Sequence, residues 1–169
     1  MNSKIASLVK KKSGIKLDVG GGHNVQSGYL CMDKRNLPRV EVNHDIEVTP
    51  YPFPKECCMV ILVSHGIHRV QPNRVIDVMN EFWRIIKPEG QLILTMPYAG
   101  TQGFWQDPTA YHTWNEISAY YFDPLPAALG GKKSELYAIH KPKPWKIIRN
   151  TWYQGGNLEL ILEKREESK

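Results

Sequence analysis

The chain of 169 residues has only three cysteines, Cys31, Cys57 and Cys58, and no Cys-x-x-Cys pair. Adjacent cysteines rarely bridge, so neither a disulfide framework nor a structural zinc site is expected, and no resident metal. No apolar run approaches the roughly 20 residues of a membrane-spanning helix. The opening MNSKIASLVKKKSG carries lysines without the apolar core of a secretory signal. A soluble, reduced, cytoplasmic protein with no membrane partner is the expectation. Low-complexity tracts and internal repeats are also lacking, and the length suits one domain with a sizeable core. A GxxxxGK[ST] loop is missing too. "GGKKS" at 130–134 lacks the leading glycine and has a lysine where Ser or Thr is needed, so nucleoside triphosphate binding of that kind is set aside.

What is present is a basic balance, a formal charge of +5. Lysines gather near the N-terminus (Lys4, Lys10, Lys11, Lys12, Lys16) and again from Lys132 to Arg149. A solvated surface and a surface for an anionic partner both fit this pattern.

Apolar runs alternate with helical periodicity, which points to a mostly parallel α/β sheet. Strands are expected at Ile15–Val19, Tyr29–Met32, Val40–Val42, Met59–Val63 and Gln91–Met96. The unbroken run MVILV reads as a strand buried on both faces. Val75, Val78, Met79, Phe82 and Ile86 recur at three- and four-residue spacing, so a helix is expected over Pro72–Lys87, stopped by Pro88 and Gly90. Lys146–Trp152 and Leu158–Glu163 flank "YQGGN" and read as an antiparallel hairpin.

The stretch "LDVGGGHN" (17–24) carries the most chemistry. Glycines directly after a strand let backbone approach a ligand with no Cβ in the way. A dinucleotide would want GxGxxG, but Val25 holds the third position. Only about ten residues separate Gly22 from Asp33, too few for both a helix and a strand, so a pyrophosphate has no helix N-terminus to sit on. S-adenosylmethionine contains no phosphate and does not need that helix. Asp18 could face its ammonium, Asp33 the ribose hydroxyls and Asp45 the adenine amino group, with Ile46 against the ring. His23 could reach its carboxylate. Such acids at successive strand ends occupy the place where open α/β sheets bind ligands.

Taken in order, "KLDVGGGHN", "GYLCMDKR", "HDIE" and "FWRIIKPEGQLILTMP" resemble the class I S-adenosylmethionine-dependent methyltransferases. The likeness is to the small type 11-like group with a short first crossover. It covers about residues 15–97 and continues more loosely through "WQDPT…W…YF" (105–122). It implies a Rossmann-like sheet of seven strands in the order 3-2-1-4-5-7-6 with an antiparallel C-terminal strand. It divides the single domain 1–169 into a cofactor half (about 15–97), an acceptor or lid segment (about 98–145) and a hairpin (about 146–164). Cofactor contacts are implied for Asp18, Gly20, Gly21, Gly22, Asp33, Asp45, Ile46, Ser64 and His65.

Three departures stand out. Cys58-Met59-Val60-Ile61 replaces a family "F-D-x-V", Ile67-His68-Arg69 replaces "L-E-H", and Asp107 to His112 replaces "D-P-T-H-x-R". Asp107 and His112 are the candidates to contact or deprotonate an acceptor. The aromatic segment 104–122 is a candidate lid or platform for a small-molecule or carbohydrate-type acceptor. Two alternatives stay open: a catalytically inactive scaffold of the same fold, and a nucleic-acid methyltransferase. A nicotinamide oxidoreductase stands further off.

Overall fold

A computed structural model describes residues 14–153 and 155–166. The lysines at positions 4 and 10–12, and Gln154 of the hairpin turn, lie outside the described residues. Seven strands form one sheet: β1 (Ile15–Val19), β2 (Leu30–Asp33), β3 (Val42–Asn43), β4 (Cys58–Ser64), β5 (Ile86–Pro97), β6 (Trp145–Tyr153) and β7 (Asn157–Lys164). Their order is β3-β2-β1-β4-β5-β7-β6. The strands β1 to β5 pair in parallel, whereas β7 runs antiparallel to both β5 and β6. This is the expected topology, including the antiparallel C-terminal strand.

Register explains the core. Leu17 stands between Leu30 and Ile61, Ile61 faces Leu92, and Leu92 faces Leu162. All five are buried, so one continuous apolar row crosses five strands. Helix α1 (Val75–Ile85) lays Val78, Met79, Phe82 and Ile85 into the same core. It is shorter than its periodicity suggests. Pro72–Arg74 forms a 3-10 turn instead, and Ile86 is already extended and opposite Cys58. The cause lies at the helix C-terminus: Glu56 and Cys57 donate their backbone N–H groups to the carbonyls of Arg84 and Ile85. Those carbonyls would otherwise be unsatisfied, and the chain entering β4 satisfies them.

Two expectations need correction. The run at β4 is not buried on both faces: Cys58, Ile61 and Val63 are buried, whereas Val60 and Leu62 are only half-buried. Alternation continues across the sheet, with Leu158, Leu160 and Leu162 of β7 buried and Asn157, Glu159, Ile161 and Glu163 less so. A strand with one fully covered face still reads as an unbroken apolar run when its second face is apolar too. Strands β2 and β3 also lie one to two residues later than expected, and β5 begins five residues earlier.

The first crossovers contain no helix, as the short spacing required; residues 20–29 and 34–41 are turns and irregular backbone. β1, β2, β3 and β4 therefore release their chains at one edge of the sheet, at Gly20, Lys34, His44 and His65. The loop 44–57 is tied back to α1: Glu81 accepts from the Tyr51 N–H at 2.6 Å, and Arg84 donates to the Phe53 carbonyl at 2.9 Å.

Candidate functional site

A cleft of about 880 Å³ opens along that edge. Gly20 and Met32 form its base, and Asp33, Arg35, Asp45 and Ile46 stand on one wall. His65 and Arg69 stand on the other, completed by Pro108, Thr109, Ala110 and Tyr111 from the segment after β5.

The three glycines divide the labour. Gly20 lines the cleft with φ +76°, a conformation that favours glycine, and its N–H donates to the Met32 carbonyl at 2.8 Å. Gly21 makes room for Asp18, since a Cβ there would lie 2.8 Å from the carboxyl group. Gly22 makes room for Arg35, whose guanidinium lies closer than a Cβ could tolerate. Asp18 is 2% exposed, does not line the cleft, and accepts from the Gln26 N–H at 3.0 Å. Burial pushes its carboxyl pKa up. In this geometry Asp18 holds the glycine turn closed rather than facing the cleft. His23, in the same turn, is exposed.

Asp33 ends β2 almost fully buried. Its Oδ1 accepts from the Arg35 backbone N–H (2.8 Å) and from Arg35 Nε (3.1 Å), and its Oδ2 accepts from Arg35 Nη2 (2.9 Å). Those bonds hold the Asp33 carboxyl below the usual carboxylate range. Asp45 accepts from the Glu47 N–H at 3.0 Å, and Ile46 beside it packs partly against the core.

On the opposite wall, His65 has φ +52°, strained for a histidine. Its N–H donates to the Thr95 carbonyl at 2.8 Å. Partial burial, and then the Arg69 charge, push its pKa down, so the ring is neutral at pH 7. Ser64 is exposed outside the cleft lining and accepts from Thr95 Oγ1 at 3.1 Å.

Asp107 is a tie rather than a base. Thr109 donates to its Oδ1 through both hydroxyl (2.6 Å) and N–H (2.9 Å), and Arg69 Nε reaches its Oδ2 at 2.7 Å. These bonds hold its carboxyl far below the ordinary range, and a carboxylate so stabilised is a poor proton acceptor. His68, 1% exposed, puts Nε2 3.5 Å from Asp107 Oδ2, and among the described residues neither ring nitrogen has a hydrogen-bond partner. Burial pushes its pKa down to about 4.

His112 sits elsewhere. Its Nδ1 accepts from Trp114 Nε1 at 2.8 Å, which leaves Nε2 to donate to the Val70 carbonyl at 3.1 Å. Both nitrogens are engaged, beside a separate apolar groove with Val75, Ile76 and Tyr121. The structure therefore does not bring Asp107 and His112 together as an acid–base pair in the cleft. The aromatic platform also contracts. Phe104, Trp114 and Phe122 are buried, Trp114 stacked on Phe122 at 5.7 Å and 9°, and of the aromatics in 104–122 Tyr111 lines the cleft.

Arg35, Glu47, Arg69 and Gln71 also line the cleft and were not singled out from the sequence. Arg35 had a signal, a base two residues beyond a strand-end acid. Arg69 had none, because its partner Asp107 is 38 residues away.

No sequence-family profile matches the chain, and no curated protein matches it either. Solved structures do share its fold. A chain from the Haloferax volcanii complex containing the Trm112 methyltransferase activator superposes with TM-score 0.61 at 10% identity, over 99% of this chain and 89% of that one. A SAM dependent methyltransferase from Archaeoglobus fulgidus gives 0.58 at 11% identity, over 96% and 92%. One from Aquifex aeolicus gives 0.57 at 14% identity, over 95% and 87%.

Proposed function

Starting from a chain with the class I methyltransferase fold, we propose that it is a methyltransferase using S-adenosylmethionine on a small-molecule or carbohydrate-type acceptor. One observation carries the reading: the cleft lies at the carboxyl edge of β1 to β4, where Gly20, Asp33, Asp45 and Ile46 converge. The residues fit the cofactor. Asp33 is a buried, ionised acceptor for a ribose diol. Asp45 is an acceptor for an exocyclic amine beside the apolar Ile46. Gly20 leaves space for close approach, and no cluster of phosphate-binding amides is needed.

Bound there, S-adenosylmethionine supplies an electrophilic methyl group. The chain's own contribution is alignment, which accounts for much of the acceleration in such displacements. Arg69 and Tyr111 frame the opposite wall, where an acceptor would lie. His65, neutral and facing the cleft, would take the proton of a hydroxyl acceptor at a ring nitrogen. Arg69, Asp107 and Thr109 hold that wall in place.

Calorimetric titration of the full chain with S-adenosylhomocysteine tests the proposal, with saturable one-site binding expected. Absence of heat with both S-adenosylhomocysteine and S-adenosylmethionine would overturn it. The engagement of Asp107 and His112 favours a second reading, a binding protein that retains the cofactor without turnover. Methylated product from any acceptor ends that reading.

A further inference from the structure

Resting on that reading of the cleft, we propose that Arg35 competes with the ribose diol for Asp33 and so sets which nucleosides the cleft admits. A carboxylate offers about four lone-pair positions, two per oxygen. Oδ1 of Asp33 is full, with the Arg35 N–H and Nε upon it; Oδ2 takes Nη2, and the Gly22 N–H adds a further bond to the carboxylate. A vicinal diol that donates one bond to each oxygen cannot be accepted while the guanidinium stays. Swinging the Arg35 side chain away, with its backbone N–H left in place, frees one position on each oxygen. That is the number the diol needs.

The surroundings permit the exchange. Asp33 is 4% exposed and fixed, whereas the Arg35 side chain is 56% exposed and can return its charge to water. The guanidinium lies over Gly22, where a Cβ would collide with it. Both residues line the cleft. A ligand with a 2′,3′-diol repays the broken Asp33–Arg35 pair with two hydrogen bonds to a charged acceptor. A ligand without the diol gains nothing from displacing Arg35. The pair is thus a specificity device: only a diol dislodges it.

The experiment is calorimetry on the full chain and the Arg35→Ala variant, with S-adenosylhomocysteine and with 2′,3′-dideoxyadenosine. Arg35 is exposed enough that its removal should leave the fold intact. The expected result is a Kd for S-adenosylhomocysteine roughly fivefold lower in Arg35→Ala, the scale of a partly exposed ion pair. The dideoxy ligand should show no gain, and removing Asp33 as well should cancel the improvement. If the wild type binds and Arg35→Ala binds equally or more weakly, Arg35 does not compete, and the inference falls alone. An equal gain for both ligands would show that Arg35 only fills space, which also overturns it. If neither protein binds either ligand, the nucleoside reading of the cleft fails and takes this inference with it.

Discussion

The two walls of the cleft are built by different means. On the first, the hydrogen bonds accepted by the carboxylates are local: Asp33 from Arg35 and Asp45 from Glu47, each two residues on, and beneath the cleft Asp18 from Gln26, eight on. On the second, they reach across the chain. Arg69 meets Asp107 over 38 residues, and behind that wall, outside the cleft lining, His112 meets Val70 over 42. The first wall is backbone geometry and carboxylates at strand ends, set by the sheet. The second is a long irregular segment held by a buried aromatic pair and one tethered acid. Ligand recognition and structural stability should therefore separate between them.

Trp114→Ala should break the second wall with the largest effect. Trp114 is 4% exposed, stacked on Phe122 and bonded to His112. Its truncation should cost about 3–5 kcal/mol of unfolding free energy in urea titrations. A loss below about 1 kcal/mol would show that the segment repacks and that its aromatics do not hold it.

His68 ties stability on the same wall to pH. Its folded pKa of about 4 lies below the ordinary value of 6.5, so folding favours the neutral ring. Between those values the unfolded chain binds more protons, and stability rises with pH. His68's contribution is complete above about pH 6.5 and is lost as pH falls toward 4, up to about 3 kcal/mol. Urea midpoints measured from pH 7 to 4 should fall less steeply in His68→Gln than in the wild type. Parallel curves would mean that His68 titrates normally.

The same contrast governs what the residues alone disclosed. Sheet order came through the family resemblance, whereas the helix-free first crossover and the strand-end places of Asp33, Asp45 and Ile46 were legible because they depend on period and on spacing over about ten residues. The second wall was not. Nothing in "QDPTAYH" says that Asp107 faces Arg69 and His68, or that the His112 ring is locked by Trp114. Asp18 lies outside the cleft lining for a subtler reason. Strand position put it near the cleft, yet Gly21 lets its carboxyl fold beneath the turn toward the Gln26 N–H, a side-chain choice with no sequence period.

Asp33→Ala should sharpen the first wall's role. A lost charge-assisted pair predicts S-adenosylhomocysteine affinity weaker by about 1–3 kcal/mol. Measured beside Trp114→Ala, it should show little change in urea stability, since the released Arg35 is already half in water. Unchanged affinity would put the ribose elsewhere.

The smallest effect belongs to Trp105, and it tests what the second wall faces. Trp105 is 73% exposed, edge-on to Phe104 at 5.1 Å, and it does not line the cleft. With a small acceptor, Trp105→Ala should change neither S-adenosylhomocysteine affinity nor stability beyond about 0.5 kcal/mol. An exposed indole on a chain of net charge +5 is also what base stacking on a single strand uses. Retention of RNA or DNA at low salt that weakens both with added salt and with Trp105→Ala would shift the acceptor from small molecule to nucleic acid. No retention in either protein leaves the indole as ordinary exposed surface and keeps the acceptor small.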